Sequence, residues 1–416
     1  MRKLSCLVLM LAVAISVAAI PSNSSTPVGW ASVGASVTGG NDENPVVVTS
    51  LAQLESALQT ARNNTKKDAN SKMTIYVKGE IEVNGYVNVQ DTKNLTIYGL
   101  PGSAMVNKNR TEKAKTGIML IKRCQNLIMR NMTFKSAGAY DIDGNDNLTL
   151  QSSEHIWVDH CDFQDGVDGN FDCNNQSNYV TVTWSRFHYL IEPKAGGTGG
   201  SDDHRYSNLW GGSDTASDEG YLNTTFACCW WDEGCRERMP RIRFGKVHIL
   251  NCLYSSTLAN YCVGVGYRSN VYIEKCAFTS SKAKATPWKN YATKSGYTDY
   301  NVTVVGNLGA TDVQKRSGNI DYFIPSSQYT YDALEASEVE AAVSDPSTGA
   351  GATLDIKEGE PFTTSINMEA TSEPTVVETI YYNPAGVRVS PNTKGLLIKT
   401  DVMSDHTRKT SKMIVR

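Results

Sequence analysis

Beyond its first twenty residues this 416-residue chain has no further long apolar run. No second stretch of about twenty hydrophobic residues is therefore available to span a bilayer. It also lacks an excess of either charge. Its 40 basic and 43 acidic residues leave a formal net charge of -3, which argues against general nucleic-acid binding and confines any positive patch to a local stretch. Nothing in it resembles a glycine-rich phosphate loop or a nucleophile elbow. No cysteine stands just behind the N-terminal apolar run, where a lipoprotein anchor would need one.

That run has a reading of its own. Met1-Arg2-Lys3 precedes the apolar residues Leu4 to Ile20, with small Val17-Ala18-Ala19 near the end. This is the pattern of a cleaved signal peptide over residues 1–19, and it implies a secreted or cell-surface protein. Cys6 would leave with it. Nine of the ten cysteines then remain, in a compartment that permits disulfides, and an odd number leaves at least one thiol free.

What the sequence has in abundance is a repeat. Between Asn94 and Gly306 one pattern recurs: two apolar positions, a bend, a small residue, then an aromatic. The copies read NLIMRNMTF (126–134), HIWVDHCDF (155–163), YVTVTWSRF (179–187), LNTTFACCW (222–230), KVHILNCLY (246–254) and NVYIEKCAF (270–278). Most starts fall 24 to 31 residues apart, the spacing of a solenoid whose coils stack as parallel strands. A period of two that slips once means two short strands joined by a bend. In this register Cys161, Cys228, Cys252 and Cys276 share the seventh position with Ser185, forming an inward ladder of free thiols. Trp230 takes the inward aromatic position. Cys229 and Cys235 fall outside the ladder and form a candidate disulfide pair. The expected fold is all-β, a parallel β-helix over residues 27–333. Residues 334–375, rich in Ser, Thr, Glu, Ala and Gly, read as a linker. A small β-sandwich-like module follows over 376–416.

In stacked coils, residues at equal offsets from successive repeat starts meet in space. Asp146 lies nine residues before one start, Asp172 seven before the next, and Arg238 eight before a later one. These three are expected on one outer face. Neighbouring coils are about 4.8 Å apart, which makes the two aspartates neighbours and puts Arg238 roughly 10 Å further along. Asp146, Asp168 and Asp172 would repel one another without a cation, and oxygen ligands alone suit Ca2+. The competing reading is a set of solvated loop acids. Arg238, Arg241, Arg243, Lys246 and His248 crowd into RMPRIRFGKVH, either as a salt-bridged strand face or as a site for an anionic polymer.

Several of these stretches carry a resemblance. WVDH (157–160), DGNFD (168–172), VTVTWSRF (180–187), LWGGSD (209–214) and RMPRIRFGKVH, with GWASVGASVTGG and LAQLESAL near the start, resemble polysaccharide lyase family one, the pectate lyases. The likeness spans roughly residues 28 to 325. It implies a right-handed parallel β-helix that cleaves polygalacturonate by Ca2+-dependent β-elimination. It implies that Asp146, Asp168 and Asp172 hold calcium, Asp168 standing where the family often has Glu. Arg238 matches the base that removes the C5 proton, and Arg243 an arginine that holds a substrate carboxylate. The base must be neutral to act, so activity is expected to rise into the alkaline range. Two departures stand out. A second calcium aspartate falls on Gly144, for which Asp143 or Asp141 could substitute. The family's lysine does not align, because the insertion EPKAGGTGGSDDHRYSNLWGG intervenes, leaving Lys194 and Arg205 as candidates. Trp157, Asp159 and His160 are implied to be structural neighbours of the site. His248, on the strand after the arginines, reads from its position as a hydrogen-bonded strand residue. YNPAGVRV and KGLLI resemble a type IX secretion sorting domain.

The expected partner is an acidic polysaccharide such as pectin, bound by a monomer without nucleic acid or a membrane span. Alternatives are a pectin lyase acting on methyl-esterified substrate, which would not need the aspartates, and a non-catalytic polysaccharide-binding β-helix. A glycoside hydrolase would need paired catalytic carboxylates and has no use for the arginines.

Overall fold

The structure is a computed structural model that describes Ile20, Ser22 and residues 24–359, 376–384, 386–403 and 408–415. The signal-peptide reading of residues 1–19 lies outside these. Three sheets of eleven, eight and eight strands run the length of the repeat region, each built from one strand per coil. All but the last pair of the eleven-stranded sheet are parallel, as between Glu154–Asp159 and Asn178–Thr183. This is a β-helix. Its apolar interior is continuous from Val48 to Val304.

Each slip in the period of two is a residue in the left-handed region. Asn131, His160, Trp184, Cys228, Asn251 and Lys275 all have φ between 45° and 60° and occupy the sixth position of successive copies. One left-handed residue between two extended strands turns the chain sharply without losing a ladder bond. Because Cys228 is such a bend residue, the fourth copy starts at Asn223 and not at Leu222. The pairing of Phe226 with Ile249 and of Trp231 with Tyr254 fixes the same register.

That single-residue shift corrects three expectations. The inward ladder is Cys161, Ser185, Cys229, Cys252 and Cys276, all fully buried. Cys228 points the other way, into a cluster with Trp184, Leu250, Val339 and Val343. All nine described cysteines are free, so Cys229 and Cys235 are not a disulfide: their thiols face the carbonyls of Val182 and Phe187 at 3.4 and 3.2 Å. The inward aromatic is Trp231, fully buried, in a stack that runs Phe134, Phe163, Phe187, Trp231, Tyr254 and Phe278 with ring centroids 4.5–5.4 Å apart. Trp230 faces outward beneath the Arg186 guanidinium, 4.5 Å away.

The fold is not purely β. A helix, α1 (Leu51–Lys67), starts at Ser50, whose side chain accepts from the Gln53 amide, a standard N-cap. Leu54, Ala57, Leu58 and Ala61 recur at helical spacing and bury their face against the first coils. A solenoid end needs such a cover, because its terminal coil has no neighbour. At the other end, Val313–Ser317 adds one antiparallel strand. Residues 334–359, read as linker, pack along the coils. Val339 and Val343 are fully buried, and Leu334 and Leu354 hydrogen-bond to the bend residues Asn251 and Asn131. A second compact unit begins at Thr363. Its described strands, Val376–Tyr382, Gly395–Met403 and Arg408–Val415, form one antiparallel sheet. No helix among the described residues is long and apolar enough to cross a membrane.

Candidate active site

In the strand Phe171–Asn174 the residues alternate. Phe171 and Cys173 point into the core while Asp172 faces out. Asp172 pairs with Thr149 one coil back, and its Oδ1 accepts from the Leu209 amide one coil on at 2.8 Å. Leu209 in turn pairs with Arg241. The strict register therefore puts Asp172 in line with Arg241, whereas Asp146 lies three residues ahead of Thr149. Asp146 Oδ2 accepts from Thr149 Oγ1 at 2.7 Å. Its Oδ1 is buried with no hydrogen-bond partner.

Gly169 explains how two acids come so close. A Cβ there would lie 2.8 Å from Asp146 Oδ1 and 3.2 Å from Asp172 Oδ1, so only glycine leaves both oxygens facing one space. The electrostatics bear the mark of this crowding. Burial and the neighbouring Asp172 raise the Asp146 carboxyl well above the usual range. Burial and Asp146 push Asp168 up to about 7. Asp172 is also pushed up to about 7, chiefly by burial, against the opposing pull of Arg238. Buried acids that repel one another, with one oxygen unpartnered, form a donor set suited to a hard divalent cation. Asp146 and Asp172, whose Oδ1 atoms face the space beside Gly169, could hold such a cation, whereas the Asp168 carboxylate groups with Asp141 and His204.

Arg238 has φ 58°, an unusual conformation for a non-glycine residue that is common near active sites. Its carbonyl accepts from the Asn208 amide at 2.7 Å, and its guanidinium lies 4.8 Å from the Tyr206 ring centroid. Its charge acts on both Asp146 and Asp172. Arg243 is tied by Nε to Asp214 at 2.6 Å and by Nη1 to the Gly211 carbonyl at 2.8 Å. Of the two candidate second cations, Arg205 is clamped by Asp203 through Nε and Nη2 at 2.7 and 2.5 Å. Lys194 is exposed, with its Nζ 4.5 Å from the Tyr140 ring centroid.

Asp143 is exposed and paired with Lys113. Asp141, by contrast, is buried and faces His204 together with Asp168. His204 and Tyr206 gave no signal of their own in the sequence, since both sit in the unaligned insertion. Arg241 had no assigned role there. The structure turns its guanidinium over the Tyr291 ring at 4.2 Å and leaves its Nε buried without a partner. Trp157, Asp159 and His160 do not neighbour these groups. Trp157 and Asp159 belong to the eleven-stranded sheet and His160 is the bend that follows; Asp159 accepts from Arg130 and His160 at 2.7 and 2.8 Å, and all three are buried. His248 is a buried strand residue bonded to Tyr329 Oη at 3.0 Å.

An outer face that sets oxygen ligands beside arginines can grip an acidic polymer through a metal and guanidinium groups together. Comparison with known proteins points the same way. A family model described as pectate lyase matches residues 4–353. A probable pectate lyase B of Aspergillus terreus is 32% identical over 324 residues, covering 75% of this chain and 84% of that protein. A Bacillus subtilis pectate lyase is 27% identical over 331 residues, covering 59% and 74%. Among solved structures, a Paenibacillus pectate lyase superposes with TM-score 0.59 at 17% identity, covering 82% of this chain and 99% of that one. A pectate lyase bound to a hexasaccharide gives 0.55 at 20% identity, covering 82% and 99%.

Proposed function

Since the chain belongs to the pectate lyase family and is a polysaccharide lyase, we propose that it cleaves polygalacturonate by Ca2+-dependent β-elimination to give 4,5-unsaturated oligogalacturonides. One observation carries the reading: the buried, unpartnered Asp146 Oδ1 and the half-buried Asp168 and Asp172 carboxylates, all raised by burial and by neighbouring acids, share a face with Arg238.

Asp146, Asp168 and Asp172 hold the calcium. Bound there, Ca2+ draws charge from the substrate carboxylate and so stabilises the carbanion-like transition state at the adjacent carbon. Arg238 takes the C5 proton, and its backbone conformation holds it on the outer face. Arg243 holds a neighbouring carboxylate, itself oriented by Asp214. Asp203 already occupies the Arg205 guanidinium, which leaves Lys194 as the candidate for a further cation. The acids argue against a pectin lyase, which has no need of them.

The test follows ultraviolet absorbance of the conjugated double bond that only elimination creates. Polygalacturonate and methylated pectin serve as substrates, with and without EDTA, for wild type and Arg238→Lys. The expected result is Ca2+-dependent absorbance on polygalacturonate and a loss of at least about 100-fold in Arg238→Lys, the scale of a lost proton-transfer group. An EDTA-insensitive rate refutes the calcium assignment, and full activity in Arg238→Lys refutes the base.

The N-terminal apolar run supports secretion, and the YNPAGVRV and KGLLI motifs support export through a type IX route. Deleting residues 376–416 in the native host should then trap the protein inside the cell, and unchanged export would exclude the sorting role.

A further inference from the structure

The geometry points to a second cation seat beside the first, made of Asp141, His204 and Asp168 and suited to a borderline divalent metal such as Mn2+, Co2+ or Zn2+. An imidazole nitrogen and two carboxylate oxygens here lie within 4.8 Å of one another. His204 Nδ1 is 3.4 Å from Asp141 Oδ2, and its Nε2 is 3.4 Å from Asp168 Oδ1. Both nitrogens thus face a carboxylate oxygen, but at a long distance and without a well-aligned hydrogen bond, although His204 is only 7% exposed. Buried polar nitrogens so weakly satisfied are rare and costly. A metal bound through one of them would remove the cost, while the other could donate to a carboxylate, the usual outer support of a metal-bound histidine.

The glycine-rich insertion that breaks the repeat builds this seat. Its turn closes directly on Asp141: a Cβ at Gly199 would lie 1.9 Å from Asp141 Oδ1, and one at Gly197 2.0 Å from the Asp141 carbonyl oxygen. The Ser201 amide donates to Asp141 Oδ2 at 2.7 Å. The same segment then delivers His204, packed against Tyr206 with ring centroids 4.2 Å apart. Asp141, 63 residues upstream of His204, is thus held by backbone contacts while the imidazole is laid over it. The donor chemistry sets the class of metal. Ca2+ takes oxygen ligands, whereas imidazole favours the first-row transition ions. Asp168 belongs to both seats, so the inference shares that residue with the calcium reading but does not require it.

The decisive measurement is pulsed electron paramagnetic resonance on the chelator-stripped full chain titrated with Mn2+ alone, read for modulation by an imidazole nitrogen. One bound Mn2+ with nitrogen modulation is expected in wild type. In His204→Gln the modulation should vanish and affinity fall at least tenfold. Gly199→Ala, which displaces Asp141 without touching the histidine, should weaken binding likewise, and thermal melting shows whether each variant is folded. Asp146→Ala should lose lyase activity yet keep the modulation, so failure of the calcium reading and failure of this one are read separately. Absence of nitrogen modulation in wild type, or its survival in folded His204→Gln, overturns the proposal.

Discussion

The three acids of the site are raised first by burial and then by one another's charge. Asp168 and Asp172 titrate near 7 and Asp146 is raised as well, against about 3.9 for an unfolded aspartate. A folded-state pKa that is raised stabilises the fold at low pH. The contribution is complete below about pH 4 and is lost as pH climbs through 7. Cation binding needs the ionised forms, so the pH dependence of metal binding has the opposite sign. Added Ca2+ should therefore raise the melting temperature strongly at pH 8 and little at pH 5.5. At a hundredfold excess over Kd the linkage is worth about 2.7 kcal/mol. Equal shifts at both pH values, measured by calorimetry, would show that these acids do not hold the cation. Arg241 supports a second residue-level expectation. It faces outward in line with Asp172, with an unpartnered buried Nε, and burial together with the charges of Arg243 and Arg238 makes its proton easier to lose. A substrate carboxylate would relieve all of this. Arg241→Ala should raise KM about tenfold, the worth of a charge-assisted hydrogen bond, with kcat little altered. A fall in kcat at constant KM would place the residue elsewhere in the reaction.

At the scale of the coil, what stabilises the molecule is position-specific stacking. Trp231 sits between Phe187 and Tyr254 at 5.4 and 4.9 Å and is fully buried. Replacing it by alanine should cost about 3–5 kcal/mol. Trp230→Ala loses an Arg186 contact and an Nε1–H bond to Ser255, about 1–2 kcal/mol in all. Denaturant unfolding of the two variants would separate them, and equal losses would contradict the register. This pair also shows what a sequence reveals about such a fold. The repeat, the parallel stacking and the inward ladder were legible because strand alternation is rigid. The fourth copy was misplaced by one residue because CysCys and TrpTrp read equally well in either frame. The residue that breaks the tie is the left-handed bend, and it has no shared chemistry: Asn, His, Trp, Cys and Lys all occupy it. The site divides in the same way. Counting offsets puts Asp146, Asp172 and Arg238 on one line, whereas the strand register aligns Asp172 with Leu209 and Arg241 and leaves Asp146 three residues ahead of Thr149. His204 could not be placed by counting, since an insertion carries it outside the count and brings it to Asp141 by tertiary packing alone.

A solenoid has no closing contact of its own, so the stability of the whole molecule depends on what covers its ends and sides. Helix α1 covers the first coils. Residues 334–359 cover a flank, placing Val339 and Val343 against Trp184, Cys228 and Leu250 and bonding to Asn131 and Asn251. Burial of each valine is worth about 1.5–3 kcal/mol, and each backbone bond to a bend asparagine about 1 kcal/mol. Removing the segment should therefore cost several kcal/mol and expose an apolar strip. The second unit, from Thr363 onward, forms its own three-stranded sheet among the described residues. Two truncations should thus behave in opposite ways. A chain ending at Phe362 should melt with the full-length catalytic unit and keep its lyase activity. One ending at Ala333 should melt several degrees lower and associate through the uncovered strip, visible as a shift in light scattering. If both truncations melted alike, the segment over 334–359 would be a passive tether, as its composition alone suggests, and not a structural cover of the helix.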